Sequence, residues 1–228
     1  MNINETILFG CPIYKIKVDP TTYDKESLLK IIINNYSKDE YRNKFDNDKS
    51  SLHHSFLDDA NNDFKKVDYH KIGLVKVYNE IFDDFCYNTL KTNGNFSWKY
   101  TIQNYTASGK NQFLRPHSHM PFADFATVHY IQFDNKRHEK TEFLNHNDFS
   151  SYISFVRKKL YEVSDKSESS NSYLYENWAF TAEEDDLIIF PSVLRHEVAK
   201  GRYDSDKLRV TISSNLILNG VNEEIYDC

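Results

Sequence analysis

His117 and His119 stand two residues apart in RPHSHMPFADFATVHY (115–130), and His196 and Arg209 follow far downstream. In an extended chain residues i and i+2 point to one face, so both rings could aim at one ion. Neutral imidazole is a ligand for most first-row transition metals, iron included. The pair follows Pro116 and precedes an alternating apolar run, which places it at a strand end. His196 comes after the apolar run LIIF and the turn PSVLR, which supplies a third imidazole from a different strand. Arg209 opens a further strand 13 residues later (209 − 196), and its guanidinium could face back toward the same place. The set reads as a metal site with His117, His119 and His196 as ligands. Histidines satisfied by ordinary core hydrogen bonds are the alternative. No catalytic residue is expected beyond the metal centre.

Such a site needs a β-barrel to hold it. Residues 6–18 alternate as a strand interrupted by Pro12, which suits an edge or bent strand. Thr21 and Thr22 can cap a helix whose first turn holds Asp24 and Glu26 and whose apolar face is Leu28, Leu29, Ile32 and Ile33. Residues 37–63 are polar and are expected to form an irregular connection, in which the adjacent His53 and His54 face opposite ways on the surface. A second helix is expected over 64–92, on the spacing of Leu74, Val77, Ile81 and Phe85, with Gly94 as its stop. Beyond it, 96–105, 126–133, 141–144, 178–181, 187–190, 197–200 and 209–218 read as strands with no βαβ alternation. The expected fold is mainly β with flanking helices: a jelly-roll or double-stranded β-helix of cupin type. Residues 149–163 have helical spacing, so a helical insertion at about 145–175 is expected between strands, as a lid or as decoration. One domain over 1–228 is expected, with a strand and supporting helices in 1–93 and the β-helix in 94–218.

The remaining histidines and acids receive plainer readings. His129 adjoins Tyr130 and should lie on the outer face, His138 and His146 should be solvent-exposed loop residues, and 183–186 (EEDD) should be a solvated acidic turn. The chain has 228 residues and net charge −6, with acids and bases interspersed, which argues against a basic nucleic-acid or membrane face. Cys11, Cys86 and Cys228 have no metal-type spacing and fit reduced thiols. The start lacks the pattern of a signal peptide, and a soluble cytoplasmic protein is expected (that of the host if viral). The N-terminal strand could pair across a homodimer.

FPSVLRHEV followed by RVTISSN resembles the distal part of the Fe(II)- and 2-oxoglutarate-dependent oxygenases, in which a strand ends at FP, a His ligand follows, and Arg-x-Ser/Thr opens the next strand. ILFGCPIY, the surroundings of Trp98 and Asn104, and RPHSHMPFADFATVHYIQF are similar to a branch of that superfamily common in bacteria and their viruses. The resemblance is best over 97–133 and 185–218 and absent from 145–175. It implies His117 and His196 as the imidazole ligands of Fe(II), and Arg209 as the partner of the distal carboxylate of the cosubstrate 2-oxoglutarate. A guanidinium suits that role because it binds a carboxylate through two parallel N–H groups. Thr211, two residues on, could add a hydroxyl. Tyr130 falls where prolyl-hydroxylase-like relatives keep a Tyr against the same carboxylate, with a barrel-core role as its alternative, and Asn104 is a candidate for cosubstrate or substrate contact.

The chain departs from the family at position 119. The resembled enzymes place Asp or Glu there, completing a facial triad of two His and one carboxylate, whereas this chain has His119. Three neutral ligands would leave the iron unit one charge more positive. Asp124 could supply a carboxylate if its loop folds back, or water could fill the third place. The expected function is therefore an Fe(II)- and 2-oxoglutarate-dependent oxygenase, a hydroxylase coupling decarboxylation of 2-oxoglutarate to oxidation of an unidentified substrate. Two alternatives stand beside it: a three-histidine metal dioxygenase without 2-oxoglutarate, and a non-catalytic jelly-roll binding or virion structural module.

Overall fold

Alternation along the strands decides which face of each is buried against what. The computed structural model describes residues 3–8, 11–39, 51–56, 63–92, 96–145, 177–202 and 205–219. Its strands are β1 (Ile3–Leu8), β2 (Cys11–Lys17), β3 (His53–His54), β4 (Ser97–Ser108), β5 (Leu114–His117), β6 (Phe125–Gln132), β7 (Thr141–Leu144), β8 (Asn177–Ala179), β9 (Asp186–Pro191), β10 (His196–Val198) and β11 (Arg209–Asn219). The helices are α1 (Lys25–Lys38) and α2 (Leu74–Asp84). The strands pair antiparallel in a seven-stranded sheet, ordered β1-β2-β9-β6-β11-β4-β3, and a four-stranded sheet, ordered β5-β10-β7-β8. This is the double-stranded β-helix that the strand spacing leads one to expect.

The large sheet is covered on both sides. On one side Leu187 and Ile189 of β9, Ile131 of β6 and Val210 and Ile212 of β11 meet Leu28 and Ile32 of α1 and Tyr78 and Phe82 of α2 in one buried cluster. On the other, Ile188, Phe190, Val128 and Tyr130 pack with Phe143 of β7 in a second cluster between the sheets. Each such side chain contributes roughly 1.5–3 kcal/mol by leaving water. β11 breaks the pattern, because positions 209, 211, 213 and 215 on its inner face are Arg, Thr, Ser and Asn. Buried polar groups where neighbouring strands are apolar mark a site rather than a core.

Several expectations are corrected. In place of one strand over 6–18, β1 and β2 pair antiparallel, and β2 is an inner strand between β1 and β9. Pro12 is tolerated because β9 pairs only with Tyr14–Lys17, beyond the proline's missing N–H. The second helix starts at Leu74, not near 64: Asp68 Oδ1 accepts the N–H groups of His70 and Lys71 in a turn, and Gly73 (φ 83°) caps α2. α2 then continues into a π turn, Phe85–Thr89. The polar 37–63 segment is not wholly irregular, since α1 reaches Lys38 and β3 pairs with β4 through His53↔Ala107 and His54↔Thr106. The acidic turn is ion-paired rather than solvated, with Lys25 Nζ 2.5 Å from Asp185 and 2.9 Å from Glu184, and Lys17 Nζ 3.3 Å from Asp186. Gly94, His146, Cys228 and the insertion expected at 145–175, apart from Asn145, lie outside the described residues. No helix among the described residues is long and apolar enough to cross a membrane.

Candidate metal centre

β5 and β10 lie side by side with His117 opposite His196, and the two rings sit 4.2 Å apart between centroids. His119 is not on the strand with His117; it belongs to the turn that follows. Its N–H bonds the carbonyl of Ser192 (3.1 Å) and its carbonyl accepts the N–H of Phe122 (2.9 Å), which folds the ring back over the pair. His117 and His119 therefore do not share a strand face, yet one ring nitrogen from each of the three histidines lies within 4.8 Å of the others.

The tautomers follow from the partners. His117 Nδ1 faces the carbonyl of Arg115 (2.9 Å) and His196 Nδ1 that of Leu194 (3.1 Å). A carbonyl only accepts, so both Nδ1 atoms carry hydrogen and both Nε2 atoms keep a free lone pair. His119 Nδ1 meets Asn215 Oδ1 at 2.7 Å, which sets the same tautomer. Burial holds all three pKa values below the usual imidazole range, and that of His196, packed against Phe190 and 4% exposed, well below it. His117 is a secondary cause for the other two, since charges on neighbouring rings repel. Neutral rings with converging Nε2 lone pairs are what a metal requires.

Arg209 lies in the same cavity, 3% exposed. Its Nε donates to the carbonyl of Glu139 (3.0 Å), Nη2 to Thr141 Oγ1 (3.3 Å) and Nη1 to Thr211 Oγ1 (3.5 Å), and it stands 5.4 Å from the Tyr130 ring centroid. None of these partners is a carboxylate, and no acid among the described residues pairs with it. Burial lowers its pKa, but guanidinium stays charged in proteins. A buried cation without an anion is costly, and this one faces a cavity of about 250 Å³. Thr211 shares a hydroxyl bond with Thr106 (2.8 Å), and Tyr130 is fully buried with its hydroxyl donated to Thr141 (2.6 Å).

Asn104 lines the cavity, aimed inward where β4 carries a bulge at Gln103: Ser213 pairs with Asn104 but Ser214 with Ile102. Asp124 is not brought to the cluster. It is exposed, and its Oδ2 accepts the N–H of Leu218 (2.8 Å) at the end of β11. His129 is on the outer face of the barrel but is fully buried under α2, with Nδ1 3.0 Å from the Tyr78 hydroxyl. His138 is tied down as well, accepting from Asp134 N–H (3.0 Å) and donating to the Lys207 carbonyl (2.9 Å). His53 is in the core, bonded to Asp39 (2.7 Å) and Tyr105 (3.2 Å), while His54 lines the cavity. Thr141, Asn215 and His54 also meet the site, and the spacing of the cluster histidines does not mark them. The alternation R-x-T-x-S-x-N along β11 could have exposed Asn215, but nothing in a two-residue strand announces His54.

Residues 104–215, which carry all three histidines and Arg209, match a family model described as "Putative 2OG-Fe(II) oxygenase". Comparison with curated proteins gives no match. Among solved structures, a prolyl hydroxylase of Trichoplax adhaerens in complex with a hypoxia inducible factor peptide is similar at TM-score 0.52 and 14% identity, over 90% of this chain and 83% of that one. A Pseudomonas putida prolyl-4-hydroxylase is similar at TM-score 0.50 and 9% identity, over 91% and 93%. A viral collagen prolyl hydroxylase from Paramecium Bursaria Chlorella virus-1, in a 2-oxoglutarate complex, is similar at TM-score 0.50 and 8% identity, over 90% and 94%. At these identities the likeness is one of fold.

Proposed function

We propose that this chain, whose residues 104–215 match the 2OG-Fe(II) oxygenase family model, is an oxidoreductase of that kind and works as a hydroxylase whose iron is held by His117, His119 and His196. Its most direct support is one ring nitrogen from each of three histidines within 4.8 Å of the others, in the cavity that also holds a buried, carboxylate-free guanidinium. The donor set fits iron, which imidazole suits, and the anion that Arg209 lacks is a carboxylate of 2-oxoglutarate. When bound, iron and 2-oxoglutarate supply activation of O2, with 2-oxoglutarate becoming succinate and CO2 while one oxygen atom enters a substrate C–H bond.

The chain's own residues position and insulate. Arg209 anchors the distal carboxylate through its Nη groups. Thr141 accepts hydrogen bonds from both Tyr130 and Arg209, so its own hydroxyl proton is free to point at the cosubstrate. Tyr130 thus acts by orienting Thr141. Leu114, Val128 and Val198 line the cavity and limit water. His119, neutral where the resembled family has an acid, leaves a bound dication its full charge. A three-histidine oxygenase without 2-oxoglutarate would give Arg209 no task.

The test is succinate formation by the full chain supplied with Fe(II), 2-oxoglutarate and O2. Turnover should need every component, and Arg209→Gln should raise the KM for 2-oxoglutarate by roughly 30-fold or more, as expected when one partner of a buried charge pair is removed. Turnover independent of 2-oxoglutarate would sink the proposal in favour of the cosubstrate-free enzyme.

A further inference from the structure

Two polar side chains of the cavity have no task in the chemistry above. His54 stands on β3 opposite Thr106 of β4 and lines the cavity, whereas His53 points into the core. The Nδ1 of His54 is buried without a hydrogen-bond partner, and so is the Oδ1 of Asn104. Buried polar atoms are almost always paired, and an unpaired one is expensive to keep unless a ligand meets it. Both side chains are held in place. The bulge at Gln103 aims Asn104 inward beside Ser213, and the bonds of His53 to Asp39 and Tyr105 fix β3 from behind. The His54 ring stacks on Phe56 (6.0 Å between centroids, 22° between planes), a residue 58% exposed at the edge of the cavity.

We infer that His54 and Asn104 form the substrate-side wall of the cavity and recognise a carboxamide, an inference that rests on the oxygenase reading of the three-histidine centre. The Asn104 terminus offers an acceptor and a donor side by side, and a neutral imidazole offers one of each. The planar neutral group with the reciprocal pattern is an amide. A carboxylate would set oxygen against the orphaned Oδ1. A guanidinium or ammonium would add positive charge to a cavity that already holds Arg209 and would hold a metal dication. Phe56 beside His54 gives a planar group a flat apolar edge to lie along.

The experiment loads the full chain with Zn(II), which is redox-silent, and 2-oxoglutarate. Saturation-transfer NMR is then recorded with propionamide, N-methylacetamide, propionate and methylguanidinium. Transfer to an amide should exceed that to the two ions; preference for propionamide assigns a primary amide, and preference for N-methylacetamide a peptide bond. Asn104→Leu, which keeps the size and removes both polar atoms without adding charge, and His54→Leu should each weaken amide binding by about fivefold or more, the worth of a lost hydrogen bond. Zn(II) affinity measured by calorimetry should stay unchanged in both variants. Equal transfer to all probes, or amide binding indifferent to both substitutions, overturns the subsite. A chain that takes up no Zn(II) overturns the metal centre instead, and the same probes on the metal-free chain then still decide the subsite.

Discussion

Each histidine of the cluster has its Nδ1 hydrogen committed, and only one of the three acceptors is a side chain. Arg115 and Leu194 use their carbonyls, which no substitution removes, but His119 depends on the amide of Asn215. Asn215 is therefore a positioning residue for His119. Loss of such a partner typically weakens metal binding about 10–100-fold. Asn215→Leu should weaken Co(II) binding by that factor in calorimetry and change the visible spectrum of the bound Co(II). Asn215→Asp, which still accepts the Nδ1 hydrogen, should restore both. Binding indifferent to Asn215→Leu would mean that His119 is not a ligand. His117, His119 and His196 could be read from sequence as a candidate ligand set through their spacing, and Arg209 through the family resemblance. Asn215 was hidden because its partner lies 96 positions away, and Asp124, close in sequence to the cluster, is held by β11 instead.

Helix α2 seals the outer face of the large sheet, and its seating rests on two residues of very different kinds. Gly73 starts the helix at φ 83°, and a Cβ there would meet nothing closer than 3.7 Å, so the backbone alone selects glycine. Gly73→Ala should therefore destabilise the fold by about 1–2 kcal/mol, the penalty of a left-handed L-residue, measurable by urea unfolding. His129 lies under the same helix, bonded to Tyr78, with its Nε2 buried and unpartnered. Burial, reinforced by Lys25 and Lys17, lowers its pKa to about 3. Below the ordinary imidazole pKa the unfolded chain takes up a proton that the folded chain refuses, so stability falls as pH drops from about 6.5 toward 3. One such group contributes roughly 1.4 kcal/mol per pH unit in that window. The stability difference between the native chain and His129→Leu should accordingly narrow by roughly 2–3 kcal/mol between pH 7.5 and 4.5. The loss of the Tyr78 bond is common to both pH values and cancels. A gap that does not change with pH would place the His129 proton elsewhere. The strands of the β-helix were legible because alternation is a local signal, whereas the late start of α2 was not, because Asp68 and Gly73 act through turn geometry rather than apolar periodicity.

The two sheets share one apolar core, but at the cavity they meet through polar groups. His117 and His196 belong to the four-stranded sheet, and His119 reaches the seven-stranded sheet through Asn215 on β11. Arg209 makes a parallel connection, from β11 to Thr141 of β7. This joint between sheets was the least legible feature of the sequence, since periodicity reports which face of a strand is buried and says nothing of which strands from different sheets confront each other. A metal at the cluster would act as a clasp between the sheets, and binding to the folded state alone stabilises by mass action. At a free metal concentration near 100 times Kd the gain is about 2.7 kcal/mol. For a chain of this size each kcal/mol raises Tm by about 2–4 °C. Thermal unfolding with Mn(II) at that excess should therefore shift upward by roughly 5–11 °C, and amide exchange should slow in β5, β10 and β11 together. His117→Ala combined with His196→Ala should abolish the shift and leave amide exchange in all three strands unresponsive to metal. A shift that persists in the double variant would place the metal elsewhere. A shift with slower exchange in β5 and β10 but not in β11 would show a metal held by one sheet alone, with His119 outside the coordination.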